Sequence, residues 1–447
     1  MGILRFAVVP FVLTGLLAQT PDAATQEQRI QSLERRVEEL EQLLRVSARK
    51  TEIKEENLVE KAKTEAAVTA DTTGFTIRSN DKNFSLKIGA DLQVDTRTFT
   101  GGGNVGLTDQ TLLRRVRPTF SGTVYKNVDY YFRPDFGQGN TVIYDAYIQL
   151  NYLPHVSVRA GKFKPPVGLE RLQSDDDTNF AERGLPTLLV PSRDIGFQIG
   201  GDLLNKRASY QVGVFNGVPD NGLSDASATS HRDYAGRVML TPLRGLGVGL
   251  GASGGSVDGQ ALPSYKTVGQ NTLVSFASGV TEAGHRTRLA PQAYYYLGPV
   301  GVLAEYGLTE EGLQKGTARH NFAYRSWQSQ ITWLVTGEMK SFTSPTPKKT
   351  FDPLHGGWGA VELAFRLGDF AGEKGLFNYG FVDPTKSPRR AHEWVGGANW
   401  YLNRLVRLTL DYGHTSFEGG ASQGGAGANG NKLPEHVIIG RFQLNFI

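Results

Sequence analysis

Between Leu112 and Gly196 the basic side chains fall into a pattern that suits oxyanion chemistry. Arg115, Arg117, Arg133 and Arg159 recur on the polar side of runs that alternate apolar and polar residues, and Lys162, Lys164, Arg183 and Arg193 flank the long polar excursion that follows. A guanidinium offers a rigid fork of donors matched to phosphate. Same-face residues of an extended chain stand about 7 Å apart, so a row of them can pass an anion along without any one holding it too tightly. For each arginine the competing reading is a salt bridge to a carboxylate such as Asp135 or Asp145. The acidic run Asp175, Asp176 and Asp177 opposes anion passage if it faces the same space.

Catalytic patterns are weaker. The chain has no cysteine, which excludes a disulfide framework, thiolate metal sites and a cysteine nucleophile. Residues 101–106 spell GGGNVG, a letter match to a dinucleotide fingerprint, but Arg115 and Arg117 then open another strand where that motif needs a helix. Residues 251–255 spell GASGG, which fits GxSxG, yet a nucleophile elbow needs a helix after its strand and none is indicated. His155, His285, His320, His392, His414 and His436 are scattered, with no spacing that joins one to a serine and a carboxylate or pairs two as metal ligands. A membrane hydrolase is the enzyme alternative, and an envelope tether a third class. No cofactor is implied.

The elements that must position the basic residues are strands. Val116, Pro118, Phe120 and Val124 alternate with Arg115, Arg117, Thr119 and Thr123; Tyr130, Phe132 and Pro134 with Tyr131, Arg133 and Asp135; Tyr144, Ala146, Ile148 and Leu150 with Asp145, Tyr147 and Gln149. Only an extended chain turns a period of two into two distinct faces. Alternation alone leaves open whether the apolar face is a soluble core or a lipid-facing wall. The pattern continues from Phe84–Val94 to the terminal Phe442, Leu444 and Phe446, with Trp327, Trp333, Trp394, Trp400 and Tyr294–Tyr296 near strand ends as candidate interfacial rings. No segment reaches the roughly 18 to 20 apolar residues of a membrane helix, so a membrane crossing must use strands.

Leu113-Arg114-Arg115-Val116-Arg117, Tyr144-Asp145-Ala146-Tyr147, Val158 to Glu170 and Phe180 to Gly196 together resemble the phosphate-selective porin O and P family. The resemblance is motif-like there and one of pattern from about Phe75 to the end. It implies an all-β fold, a transmembrane antiparallel barrel of about 16 strands, usually trimeric, with an anion-conducting pore. About 370 residues accommodate that number at roughly 23 per strand and connection, within the even-numbered range of bacterial barrels. It also implies that the excursion from Gly168 to Asp194 folds into the lumen and narrows it. Arg115, Arg117, Arg133, Arg159, Lys162, Lys164, Arg183 and Arg193 are then the expected anion pathway, for phosphate or polyphosphate, other small anions or ions without discrimination.

The N-terminus adds two further expectations. Phe6–Leu17 is an apolar run after Arg5 and before small residues, the shape of a signal peptide over 1–24. Ile30, Leu33, Val37, Leu40 and Leu44 follow at spacings of three and four, the seam of a short coiled coil over 25–65, with a charged helical continuation and a linker over 66–74. An even strand number brings both barrel ends to the periplasmic side, where this helix belongs. The first 74 residues carry more acid than base, so the net charge of +4 reflects a basic excess in the barrel at 75–447. The expected partners are small anions such as phosphate, outer-membrane lipid and two further copies in a homotrimer; no nucleic-acid module is indicated.

Overall fold

The computed structural model describes residues 23–64, 66–71, 74–101, 107–220, 225, 227, 229–420 and 431–446. The apolar run expected to direct export, the GGGNVG stretch beyond Gly101 and most of the glycine-rich 418–432 loop lie outside them. Residues up to 65 form one unit and residues 66–447 another. The first contains a continuous helix, α1, Ala23–Thr64. Its seam residues are all more than half exposed, from 54% at Val37 to 68% at Leu44, leaving an apolar stripe without cover among the described residues.

The second unit begins with a hairpin, β1 Ala67–Asp71 and β2 Gly74–Arg78, where a linker was expected. Backbone pairing decides this: β2 lies along Ser85–Ile88, the part of the next strand that the C-terminal strand does not reach. Then follow β3 Phe84–Phe99, β4 Gln110–Val124, β5 Val128–Asp135, β6 Val142–Leu153, β7 Val156–Phe163, β8 Asp194–Leu203, β9 Ala208–Phe215, β10 Asp233–Leu243, β11 Leu246–Gln260, β12 Val280–Leu297, β13 Val300–Lys315, β14 Ala318–Leu334, β15 Ala360–Gly372, β16 Pro388–Tyr401, β17 Val406–Gly419 and β18 Glu435–Phe446. Each pairs antiparallel with its neighbour in sequence, and β18 pairs with β3 from Val437–Phe99 to Phe446–Ala90, closing a barrel of sixteen strands. Closure leaves no long open edge.

Burial settles which face is inside. The apolar sides point outward, with Phe197 68% and Leu410 60% exposed, whereas Arg286, Arg288 and Arg366 on the polar sides are at most 1% exposed. A soluble sandwich would be the reverse, so the outer face is a lipid-facing wall. Trp327, Trp333, Trp394 and Tyr295 lie on it. Tyr294, on the opposite parity, packs instead with Leu169, Met239 and Leu303.

Six of the seven connections at one end are two to four residues long; the seventh, 335–359, is not. It folds inward, as do 164–193 between β7 and β8 and 261–279 between β11 and β12. In the first, Lys340 Nζ meets Glu362 Oε1 at 2.7 Å and Ser344 N donates to Asp177 Oδ1 at 2.7 Å. In the last, Tyr265 packs on Tyr324 and Phe370, and Thr267 donates to Glu435 Oε1 at 2.8 Å. Only the segment between β7 and β8, expected at Gly168 to Asp194, was foreseen. The buried side chains Leu185 and Leu189 join Phe322, Phe370 and Phe381 in an apolar cluster, each such burial contributing about 1.5–3 kcal/mol. The β12–β16 side of the interior is therefore filled, and open space remains along β4–β10.

Candidate functional site

The fold-back segment begins at Gly168, whose φ of +83° turns the chain so that Leu169 N and Glu170 N donate to Glu305 at 2.8 and 3.2 Å across the lumen. Arg366 Nη1 donates to Glu182 O at 2.9 Å and Arg407 Nη1 to Thr178 O at 2.9 Å, so the far wall also grips it. The near wall holds it by charge. Asp175 receives Arg117 Nη1 and Arg183 Nη2, the latter at 2.6 Å, with Arg115 Nε at 3.7 Å. Glu182 binds Arg97 at 2.5 Å and Arg114 at 2.7 Å. Arg133 stands 3.4 Å from both Asp91 and Asp176. Burial alone would raise the carboxyl pKa values of Asp175 and Glu182, but the facing guanidinia outweigh it and hold both well below the usual carboxylate range.

Two bulges build this wall. Between Gln93 and Val94 the register of β3–β4 skips Arg114, so Arg114, Arg115 and Arg117 all serve the lumen despite alternation. Between Arg133 and Pro134 the β5–β6 register skips Tyr144, which the alternating pattern sends outward. Its ring instead lies inside, 3.6 Å from the Arg117 guanidinium and 3.3 Å from that of Arg193. Arg193 is completed by Asp145 at 3.1 Å.

A second set of cations is held differently. Arg159 Nε and Nη2 donate to Gln149 Oε1 at 2.9 and 2.6 Å, and its guanidinium lies 4.3 Å over Tyr147. Arg237 donates to Gln292 Oε1 at 3.1 and 3.0 Å, reaching over β11, whose Gly249 and Gly251 carry no side chain there. Lys164 Nζ donates to Gln173 O at 2.8 Å. None of the three has a carboxylate within 4.0 Å among the described residues. A neutral amide fixes a guanidinium without cancelling its charge, whereas Asp175 and Glu182 cancel the charges they fix.

These three cations line a cavity of about 480 Å³ with Arg133, Arg193, Asp145, Gln198 and Gln211. Toward the short-turn end it adjoins a cavity of about 650 Å³ bounded by Thr69, Thr76 and Arg78 of the hairpin and by Lys87. Tyr131, Tyr147 and Arg159 border both, with the two tyrosine rings stacked at 5.3 Å.

The model for phosphate-selective porin O and P matches residues 86–446. The chain belongs to that family. Porin O of Pseudomonas aeruginosa is 22% identical over 375 residues, covering 76% of this chain and 84% of that protein. Among solved structures, the outer membrane channel DcaP of Acinetobacter baumannii matches with a TM-score of 0.55 at 9% identity, over 84% of this chain and all of that one. The anion-selective porin from Comamonas acidovorans matches with a TM-score of 0.51 at 12% identity, over 81% of this chain and all of that one. This member of the porin O and P family is thus an outer-membrane porin, a channel rather than an enzyme. Ser253 of GASGG sits in mid-β11 within hydrogen-bonding distance of Arg288, and no helix follows it.

The eight expected pathway residues separate into three groups. Arg159 and Lys164 keep undischarged cations at the cavity. Arg115, Arg117, Arg133, Arg183 and Arg193 face the interior but pair with carboxylates, the competing reading set out for each arginine. Lys162 differs from expectation: it lies three residues from Arg159, hence on the opposite, outer face, and pairs with Asp225. Arg237 was missed, although its parity, opposite to that of the outward Tyr234, Gly236 and Val238, marks it as lumen-facing, as the alternation of Asp91, Gln93 and Asp95 marks Arg97; Arg114 required the bulge.

Burial, reinforced by the nearby Arg183 and Arg193 cations, depresses the Lys164 ammonium well below the usual lysine range. Deprotonation removes a positive charge, so anion preference is expected to fall as pH rises through that lowered value, before ordinary lysines titrate. Reversal potentials for native protein and Lys164→Arg over that range check this; the arginine variant should show a flatter profile.

Proposed function

We propose that the pore conducts small oxyanions, phosphate among them, along the β5–β10 side of the lumen. The observation that carries this reading is that Arg159, Arg237 and Lys164 border the cavity with uncharged hydrogen-bond partners, the Gln149 and Gln292 amides, the Met239 thioether and the Gln173 carbonyl, among the described residues. Positive charge that no neighbour cancels, set in a low-dielectric wall, raises the local anion concentration. The Comamonas porin is anion-selective and the family is that of phosphate-selective porins, and both support the same direction.

Reversal potentials under a chloride gradient in planar bilayers test it. The native pore should be anion-selective, with phosphate blocking chloride current, and Arg159→Gln with Arg237→Gln should move selectivity toward zero. A cation-selective native pore would overturn the reading and point to Asp175–Asp177. Anion selectivity without phosphate block would leave a general anion porin.

The functional unit in this reading is a homotrimer with α1 in the periplasm, its exposed seam covered by the same seam of other copies. Deletion of 26–63 should weaken the trimer in mild detergent while leaving channel activity, read as mass by light scattering. A monomeric mass for the intact protein would refute both parts.

A further inference from the structure

The cavity beside the fold-back segment offers more than cations. Gln198 is the register partner of Arg159 on β8, and Gln211 is the register partner of Arg237 on β9. Both amides line the cavity, and the Gln211 carbonyl oxygen is buried without a hydrogen-bond partner among the described residues. An amide carries both an acceptor and donors. A phosphate dianion presents mostly acceptors, so it satisfies the guanidinia and leaves that carbonyl unmatched, which is unfavourable once water is displaced. A ligand that adds hydroxyl groups to its anion can donate to Gln211 while its charged end meets Arg159 or Arg237. The stacked Tyr131 and Tyr147 rings and the Phe163 and Phe342 side chains supply apolar surface for a carbon skeleton, which bare phosphate cannot use. A volume of about 480 Å³ falls in the range of small-molecule sites.

We propose that this cavity preferentially takes a small polyhydroxylated oxyanion, a sugar phosphate or a sugar acid, with the anion on the Arg159 or the Arg237 guanidinium and its hydroxyls on the Gln198 and Gln211 amides. The proposal rests on the anion-pore reading and adds the substrate class.

Block of chloride current by matched pairs tests it on the native, full-length protein: glucose 6-phosphate against cyclohexyl phosphate, and gluconate against hexanoate. The members of each pair share an anionic group and carbon count and differ chiefly in hydroxyls. The hydroxylated member should half-block at a concentration lower by about tenfold, the factor expected of one or two additional hydrogen bonds. A difference in the first pair alone assigns the phosphate ester, in the second alone the sugar acid, and in both the shared chemistry; each supports the proposal. Gln211→Met, with similar side-chain volume and no amide, should shrink the ratio toward one. Equal block within both native pairs overturns the proposal while anion selectivity stands, and a retained ratio in an assembled Gln211→Met pore overturns the assignment to this amide. A cation-selective native pore is the separate failure of the underlying reading.

Discussion

Asp175→Asn is expected to open the pore and make it more anion-selective while destabilising the barrel interior. Asparagine preserves shape but removes the charge that faces Arg115, Arg117 and Arg183. Arg117 retains Asp135 at 2.7 Å, but Arg115 and Arg183 are left without a carboxylate partner among the described residues. Removing one member of a buried ion pair costs about 3–5 kcal/mol because the remaining charge stays desolvated. The fold-back segment should loosen, conductance should rise, and the freed guanidinia should attract anions.

The native clamp also has a definite acid dependence. Asp175 is held well below its ordinary value, so its stabilising contribution is present above the unfolded-state value and is lost only as pH falls through the depressed folded-state value. Single-channel conductance, reversal potential and the temperature of heat-modified gel migration, followed into acid, measure each part. Unchanged conductance and selectivity in Asp175→Asn would mean that the apolar anchors at Phe180, Leu185 and Leu189 hold the segment alone.

Leu410→Arg should block assembly almost completely. Leu410 lies within β17 on the outward face, and arginine at mid-depth on the lipid side of a barrel costs about 2–4 kcal/mol. The matched control is Gln198→Arg, which puts the same charge on the cavity side and should assemble with altered selectivity. Heat-modifiable migration after refolding into vesicles reads both. If Leu410→Arg folds as well as Gln198→Arg, the outward face of β17 is not in lipid.

Much of the barrel was legible because its determinants are local. Alternation in β4, β5 and β6 identifies strands, and burial then follows from which side of the wall meets water. The fold-back stood out at Gly168 to Asp194 as a connection too long and too charged for a turn. The inward course of 335–359 did not, since its anchors are contacts such as Lys340–Glu362 and Ser344–Asp177 that no period expresses.

Strand character, the existence of two faces, the family and the concentration of arginine on the polar side are all written in residue order. Which arginines keep their charge is set by contacts between distant segments. Arg117 and Arg159 look alike in a strand pattern, yet one meets Asp175, 58 residues away, while the other meets Gln149 on the neighbouring strand. A bulge shifts a period of two by one residue, which brings Tyr144 and Arg114 inside against the pattern. Charge compensation depends on distance in space, and closing the barrel with its inward segments is what sets those distances.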